Sequence, residues 1–334
     1  MDHFRAARVV VALGMLVATI TGCGGGDPAG SGALKPAATV VVDGSSTVFR
    51  ISRAAREAFR AAFGKKKPEW LVVVDNHGTG GGFGRYLRNE VDIVDASRPA
   101  RPDEEAKARE QGIDWTRFVV GYDGITLVVN PANEFVKTLS VEQLKAIWEP
   151  SSRVKTWRDI DPSWPDREIV FYSPDNDSGT FEFFTGAITG KARAQRDGVQ
   201  QSSDDNTLVM GVAGDADALG YFGYAYYAAN RDKLRAVAIR NGPKGSGVVP
   251  SLETIADRTY VPLRRPLFIY VKNSAARRPE VAEFLRFYLA NIESISAKAG
   301  YDPPTPEDRA SNEEALTRLL PRDASTPAPV AGAE

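Results

Sequence analysis

Sulfur and imidazole are almost missing from this chain. Cys23 is the single cysteine among 334 residues, and His3 and His77 are the only histidines. One cysteine leaves no intrachain disulfide and no zinc–cysteine site. Two histidines leave little for a Ser–His–Asp triad, and the G-x-S-x-G turn that would present its serine is absent. An excess of positive charge is missing as well. Lys and Arg number 42 against 43 Asp and Glu, a net charge of −1, so nothing points to nucleic acid. Neither common nucleotide fingerprint is present. A G-x-G-x-x-G reading from Gly78 meets Phe83 where its third glycine belongs, and from Gly80 it meets Arg85. The stretch Gly186 to Lys191 runs into Ala192, without the hydroxyl of a P-loop. These absences argue against an enzyme, and no metal or cofactor is expected.

What the chain does have begins at its N-terminus. Arg5 and Arg8 precede the apolar run "VVVALGMLVATI" (Val9 to Ile20), which is short for a membrane span, and "ITGC" ends at Cys23. Small residues before a lone cysteine resemble a bacterial lipobox. Residues 1–22 are therefore expected to be a lipoprotein signal peptide, Cys23 the acylated first residue of the mature chain, and 23–38 a flexible tether. The tail "PRDASTPAPVAGAE" (321–334) is low in complexity and expected to be disordered. The rest, within a chain 43% hydrophobic and 25% charged, fits one large or two medium globular domains.

Glycine is concentrated in one place. "GTGGGFG" (Gly78 to Gly84) holds five glycines in seven residues, directly after the strand-like "WLVVV" and before helical sequence. Such a turn lets backbone approach something closely, and at a helix start that something is commonly an anion. Two further segments share the plan of strand, polar turn and helix. One is "TVVVDGSSTVFRISRAAREAFRAAF" (Thr39 to Phe63), with Ile51, Ala55, Ala58, Phe59 and Ala62 on one helical face. The other is "REIVFYSPDNDSGTFEFFTGAI" (Arg167 to Ile188), whose helix opens at Ser178-Gly179-Thr180. Any one of these turns could be a plain helix cap. Together they offer amides, hydroxyls and positive helix ends to one negative ligand. A fourth piece, "VDIVDASRPA" (Val91 to Ala100), places Arg98 at a strand end. There it either grips an oxyanion or sits on the surface. Strands alternating with helices imply a mostly parallel sheet, whose ligands bind at the carboxyl ends of its strands. The aromatic "ALGYFGYAYYAAN" (Ala218 to Asn230) reads as core packing or a stacking platform.

The ordered set "DGSSTVF", "GTGGGF", "VDIVDASRPA", "YDGITLVVNP", "LKAIWEP", "DSGTFEFF" and "ALGYFGYAYY" resembles the phosphate-binding lipoproteins of the phosphate-specific ABC importer (PstS type), from about Val40 to Val271. The resemblance implies an α/β fold, a two-lobed clamshell of the type II periplasmic-binding-protein kind with mostly parallel or mixed sheets. Residues 39–125 plus 264–320 would form lobe I and 126–263 lobe II, with phosphate held between them by a monomer that delivers it to a membrane permease. It implies ligand contacts from Ser46, Thr47 and Val48, from Gly78 and Thr79, from Ser97, and from Ser178, Gly179 and Thr180. Two departures stand out. Pro174 occupies a position where the best-known branch has arginine, and Ala96-Ser97-Arg98 replaces an Ala-Ser-Asp whose carboxylate accepts the proton of hydrogen phosphate. Arg98 is therefore expected to be the charged clamp and Asp123 the proton acceptor, with Asp177 and Asp205 as further candidates; His77, next to the Gly-rich loop, is expected to lie on the surface rather than to border the site. Other readings remain: a receptor for another tetrahedral oxyanion such as sulfate, a phosphate-sensing surface lipoprotein, or a phosphatase.

Overall fold

β-Branched residues dominate the first described segment, "ATVVVDG", and it forms strand β1 (Ala38–Gly44) with Val40 and Val42 buried. The computed structural model describes residues 38–242 and 245–320. The expected signal peptide, Cys23, the tether up to residue 37 and the tail from residue 321 lie outside them. After β1 come α1 (Ser46–Phe63), β2 (Trp70–Val74), α2 (Gly78–Leu87), β3 (Ile93–Ala96) and α3 (Pro102–Glu110). Then follow β4 (Trp115–Val129), β5 (Thr138–Ser140), α4 (Val141–Trp148), β6 (Val170–Pro174), α5 (Gly179–Thr189), β7 (Val199–Ser202), α6 (Asp205–Gly214), β8 (Ala218–Gly223) and α7 (Tyr224–Ala228). The short β9 (Arg235–Ala236), β10 (Ala238–Arg240) and α8 (Leu252–Ala256) lead to β11 (Arg264–Lys272), α9 (Pro279–Ala290), α10 (Ile292–Ala299) and α11 (Pro306–Leu319). The described residues form one compact unit. Among the described residues no helix is long and apolar enough to cross a membrane.

The main sheet runs β2-β1-β3-β11-β4-β8-β6-β7. β1 is parallel to β2 and β3, and β6 is parallel to β7 and β8. These two parallel groups are joined by β11 and β4, which run antiparallel to each other and to their outer neighbours. β4 is long enough to serve two partners. Its residues up to Gly124 pair with β11, and those from Ile125 pair with β8.

Separate apolar cores flank each part of the sheet, two on each. The stripe Ile51, Ala55 and Phe59 of α1 packs with Val42, Ile269 and Phe284. Ala62, expected on that stripe, is exposed. On the other part of the sheet, one core gathers Leu127, Leu144, Trp148, Phe171, Phe184 and Tyr221. Trp148 meets Phe171, Phe184 and Tyr221 edge-on, and Phe184 stacks on Tyr221 at 3.7 Å. The aromatic segment from Ala218 is thus interior packing where it forms β8. α4 opens on a capping box: Ser140 Oγ accepts from the Gln143 amide while Gln143 returns a carbonyl to the Ser140 amide.

Two glycines of α2 meet opposite surroundings. A Cβ on Gly82 would lie 2.6 Å from Gly44 Cα and 2.9 Å from the Asp43 carbonyl, whereas one on Gly84 would have only Arg88 Nη1 at 3.6 Å. Gly82→Ala is expected to destabilise by about 1–3 kcal/mol through overpacking. Gly84→Ala is expected to stabilise by up to ~1 kcal/mol through helix propensity. Urea unfolding of the two variants checks both signs.

Candidate functional site

Polar loops converge where the sheet changes groups. β1 ends at Gly44, and Ser45 caps α1 by accepting from the Val48 amide at 3.4 Å. β6 ends at Pro174, and Ser178 caps α5, its Oγ accepting from the Thr180 and Phe181 amides. Each helix start leaves its first amides without partners inside the helix, which makes it positive. Thr47 and Thr180, in the first turns of α1 and α5, bring their hydroxyls within 3.5 Å of each other. Thr79, in the first turn of α2, places Oγ1 3.3 Å from Ser97 Oγ and accepts from the Ser97 amide at 3.2 Å. A Cβ on Gly179 would sit 2.4 Å from Ser97 Oγ and 2.5 Å from Thr79 Oγ1, so the α5 start touches that hydroxyl pair and needs a glycine to do so. Ser46 donates to Asp205 Oδ2 at 3.0 Å, while its carbonyl accepts from the Tyr226 hydroxyl. Thr47, Val48, Thr79, Ser97, Asp123 and Thr180 are all buried, and the structure brings their segments together.

The cation among them is one that sequence reasoning missed. Arg265, fully buried, donates from Nη2 to Thr180 Oγ1 at 2.7 Å, to Thr47 Oγ1 at 3.1 Å and to Asp123 Oδ2 at 2.8 Å. Its Nη1 also reaches the Ser97 carbonyl at 3.3 Å. Arg98, expected as the clamp, is occupied elsewhere. Its two terminal nitrogens donate to both Glu104 oxygens at 2.8 Å, and Nε lies 2.8 Å from Glu182 Oε2. Two carboxylates saturate its charge, so the guanidinium bridges α3 and α5 and does not join the threonine cluster. The only local signal for Arg265 is its place at the start of β11, where "RRPLFIYV" puts alternate residues on opposite faces.

The carboxylates differ in surroundings. Asp123 is held by Arg265 and by the Tyr224 amide on Oδ1; burial nonetheless raises its pKa, the arginine opposing. Asp205 is pushed up to about 7 by burial, against the Ser46 hydrogen bond. Behind α1, Asp95 is raised to about 8 by burial, and its Oδ2 has no hydrogen-bond partner among the described residues. Asp177 contributes backbone: its carbonyl accepts from the Gly80 amide at 3.0 Å, and a Cβ on Gly78 would come within 2.7 Å of it. Gly78 and Gly82 are thus required by protein backbone, where the sequence suggested room for an anion. His77 faces solvent with Nδ1 2.9 Å from Asp43 Oδ2. Among the described residues, no cluster of His, Cys, Asp and Glu could hold a metal ion. A buried guanidinium, four hydroxyls and helix starts suit the binding of an oxyanion.

Comparison with known proteins agrees with this chemistry. The profile of the PBP superfamily domain matches residues 29–291. The protein SphX of Synechocystis sp. (strain ATCC 27184 / PCC 6803 / Kazusa) is 40% identical over 305 residues, covering 90% of this chain and 87% of SphX. The phosphate-binding protein PstS of Staphylococcus aureus (strain USA300) is 36% identical over 280 residues, covering 84% of this chain and 82% of PstS. A solved structure described as a possible phosphate binding protein from Planctomyces limnophilus DSM 3776 shares 42% identity. It has a TM-score of 0.62 and covers 85% of this chain and 99% of its own.

The raised carboxyls set a pH dependence. A folded-state pKa above the unfolded value of ~3.9 means that the fold binds a proton which the unfolded chain releases. Stability is then lost as pH rises from about 4 toward 8. Asp95→Asn is expected to remove one such contribution, flattening the fall by up to ~1.4 kcal/mol per pH unit. Urea unfolding of both proteins between pH 5 and 8 reads the difference, and parallel curves would refute it.

Proposed function

The chain belongs to the PBP superfamily, in the group that includes the SphX and PstS proteins, and from this we propose that it is a solute receptor capturing inorganic phosphate between two lobes for an ABC importer. The observation that carries the reading is the buried Arg265, whose one nitrogen reaches the hydroxyls at the starts of two helices from different parts of the sheet. A tetrahedral anion meeting Arg265, Thr47 and Thr180 would receive a cation and two hydroxyl donors at once. Thr79, Ser97 and the first amides of α1 and α5 complete the shell. Ser46 acts through Asp205, and Ser178 by capping α5. The lobes are read as 39–125 plus 264–320 and as 126–263, with β4 and β11 as the crossing. The separate cores on either side of that crossing support this division. Phosphate stabilises the closed state because only there do both helix starts reach it.

Asp123 supplies selectivity in this reading. A carboxylate can accept the proton that phosphate carries and sulfate lacks; sulfate would set two negative oxygens against each other. Asp205 is the second acceptor at the site. Arg98 contributes to closure, through its ion pairs with Glu104 of α3 and Glu182 of α5. We read the protein as a receptor without catalysis, a monomer held outside the cytoplasm by a lipid on Cys23.

Calorimetric titration of the ligand-free protein with phosphate and then sulfate tests the reading. Phosphate is expected to bind and sulfate not to compete; equal binding of both would make it a receptor for another oxyanion. Arg265→Gln is expected to weaken phosphate binding by at least ~30-fold, since truncating one partner of a buried charge pair costs ~2–5 kcal/mol. Thr180→Val is expected to cost ~10-fold and Arg98→Gln no more than that. Circular dichroism melting separates lost binding from lost folding.

A further inference from the structure

The opposite end of β1 carries a surface that phosphate capture does not use. α1 ends in Phe63 and is followed by Gly64-Lys65-Lys66-Lys67-Pro68 before β2 begins at Trp70. A groove of about 450 Å³ opens there, lined by Arg56, Arg60, Phe63, Lys67, Trp70 and Leu71 among others. Its floor is aromatic: Phe59 stacks on Phe63 at 4.7 Å and lies parallel to Trp70 at 6.5 Å, and Lys67 Nζ stands 5.1 Å over the Trp70 ring. Its rim is basic, with Arg60, Lys65, Lys66 and Lys67 exposed. Leu71 and Val73 of the edge strand β2 are 48% and 41% exposed. Lysines beside an edge strand discourage strand pairing, but that role asks for no open aromatic groove beneath them.

The place where the chain enters the described structure selects the occupant. Ala38 opens β1 by donating its amide to the Glu69 carbonyl, and it pairs with Trp70, at the groove itself. On the reading that Cys23 is acylated, the anchor lies no more than ~50 Å of extended chain from Ala38. The phosphate site is at the other end of β1, ~20 Å away along the strand. We propose that this basic aromatic groove docks on the anionic surface of the bilayer, so that the lipid-anchored receptor lies with its site facing away from the membrane. Lysines and arginines meet anionic headgroups while Trp70 and Leu71 enter the interface.

The test uses the chain from Gly24 onward, which contains the whole compact unit and no acylation site, so a failure of the lipid-anchor reading does not affect it. Phosphate titration of the same preparation keeps the receptor reading separate. Co-sedimentation is measured with phosphatidylcholine vesicles, with and without 30 mol% phosphatidylglycerol, in low and high salt. Binding is expected only with phosphatidylglycerol and is expected to fall with salt. The triple variant K65E/K66E/K67E should reduce it at least ~10-fold, as each lysine near an anionic surface is worth about fivefold. R153E/K155E/R158E makes the same change of charge at exposed positions elsewhere and should leave binding intact. No binding to phosphatidylglycerol vesicles, or equal binding to neutral ones, would overturn the proposal. So would equal losses in the two triple variants, because net charge alone would then account for binding.

Discussion

One ion pair, Asp123 with Arg265, organises the site. The two residues face each other in the register of antiparallel β4 and β11, where the sheet passes from one parallel group to the other. Both are almost wholly buried, and neither would be tolerated there alone, because an unpaired charge in that setting costs several kcal/mol. Given the pair, Arg265 still has donors for Thr47 and Thr180, and those contacts draw the starts of α1 and α5 together. The convergence of helix ends is thus anchored by a cross-strand contact in the sheet beneath them.

Much of the scaffold was legible because it rests on local chemistry. Each of the polar turns could be read as a possible helix cap, and the structure has Ser45 and Ser178 capping α1 and α5. The order of strands and turns gave the family resemblance, and the PBP superfamily match and the PstS relative agree with it. The segments that meet at the site could also be named, since each is a polar turn after a β-rich run. What could not be read was which arginine they meet. Arg98 and Arg265 both stand at strand ends next to a proline, and what separates them is their partners. Glu104 lies six positions from Arg98, but Glu182 comes from another helix, and Asp123 is 142 positions from Arg265. Arginine is seldom fully buried, so a sequence offers no local reason to expect it.

Glycine shows a similar limit. Five glycines in seven residues announced close approach, correctly, but not what is approached. Gly82 lies against the Gly44 backbone and Gly78 against Asp177, so much of the small-residue content lets one loop pack on others. Gly179, from a less conspicuous segment, is the one pressed against the hydroxyls of Thr79 and Ser97.

Because Arg265 is delivered by strand register, the site's charge and its outline are inherited separately. Insertions in the turns that carry Thr47, Thr79 or Ser178 would reshape the rim and leave the guanidinium in place. A slip of one residue between β4 and β11 would instead turn Arg265 to the other face and bring a proline or Arg264 opposite Asp123. Loop variation can therefore change what surrounds the guanidinium while the positive centre stays fixed. Reversing the sign of that centre would require rebuilding the middle of the sheet.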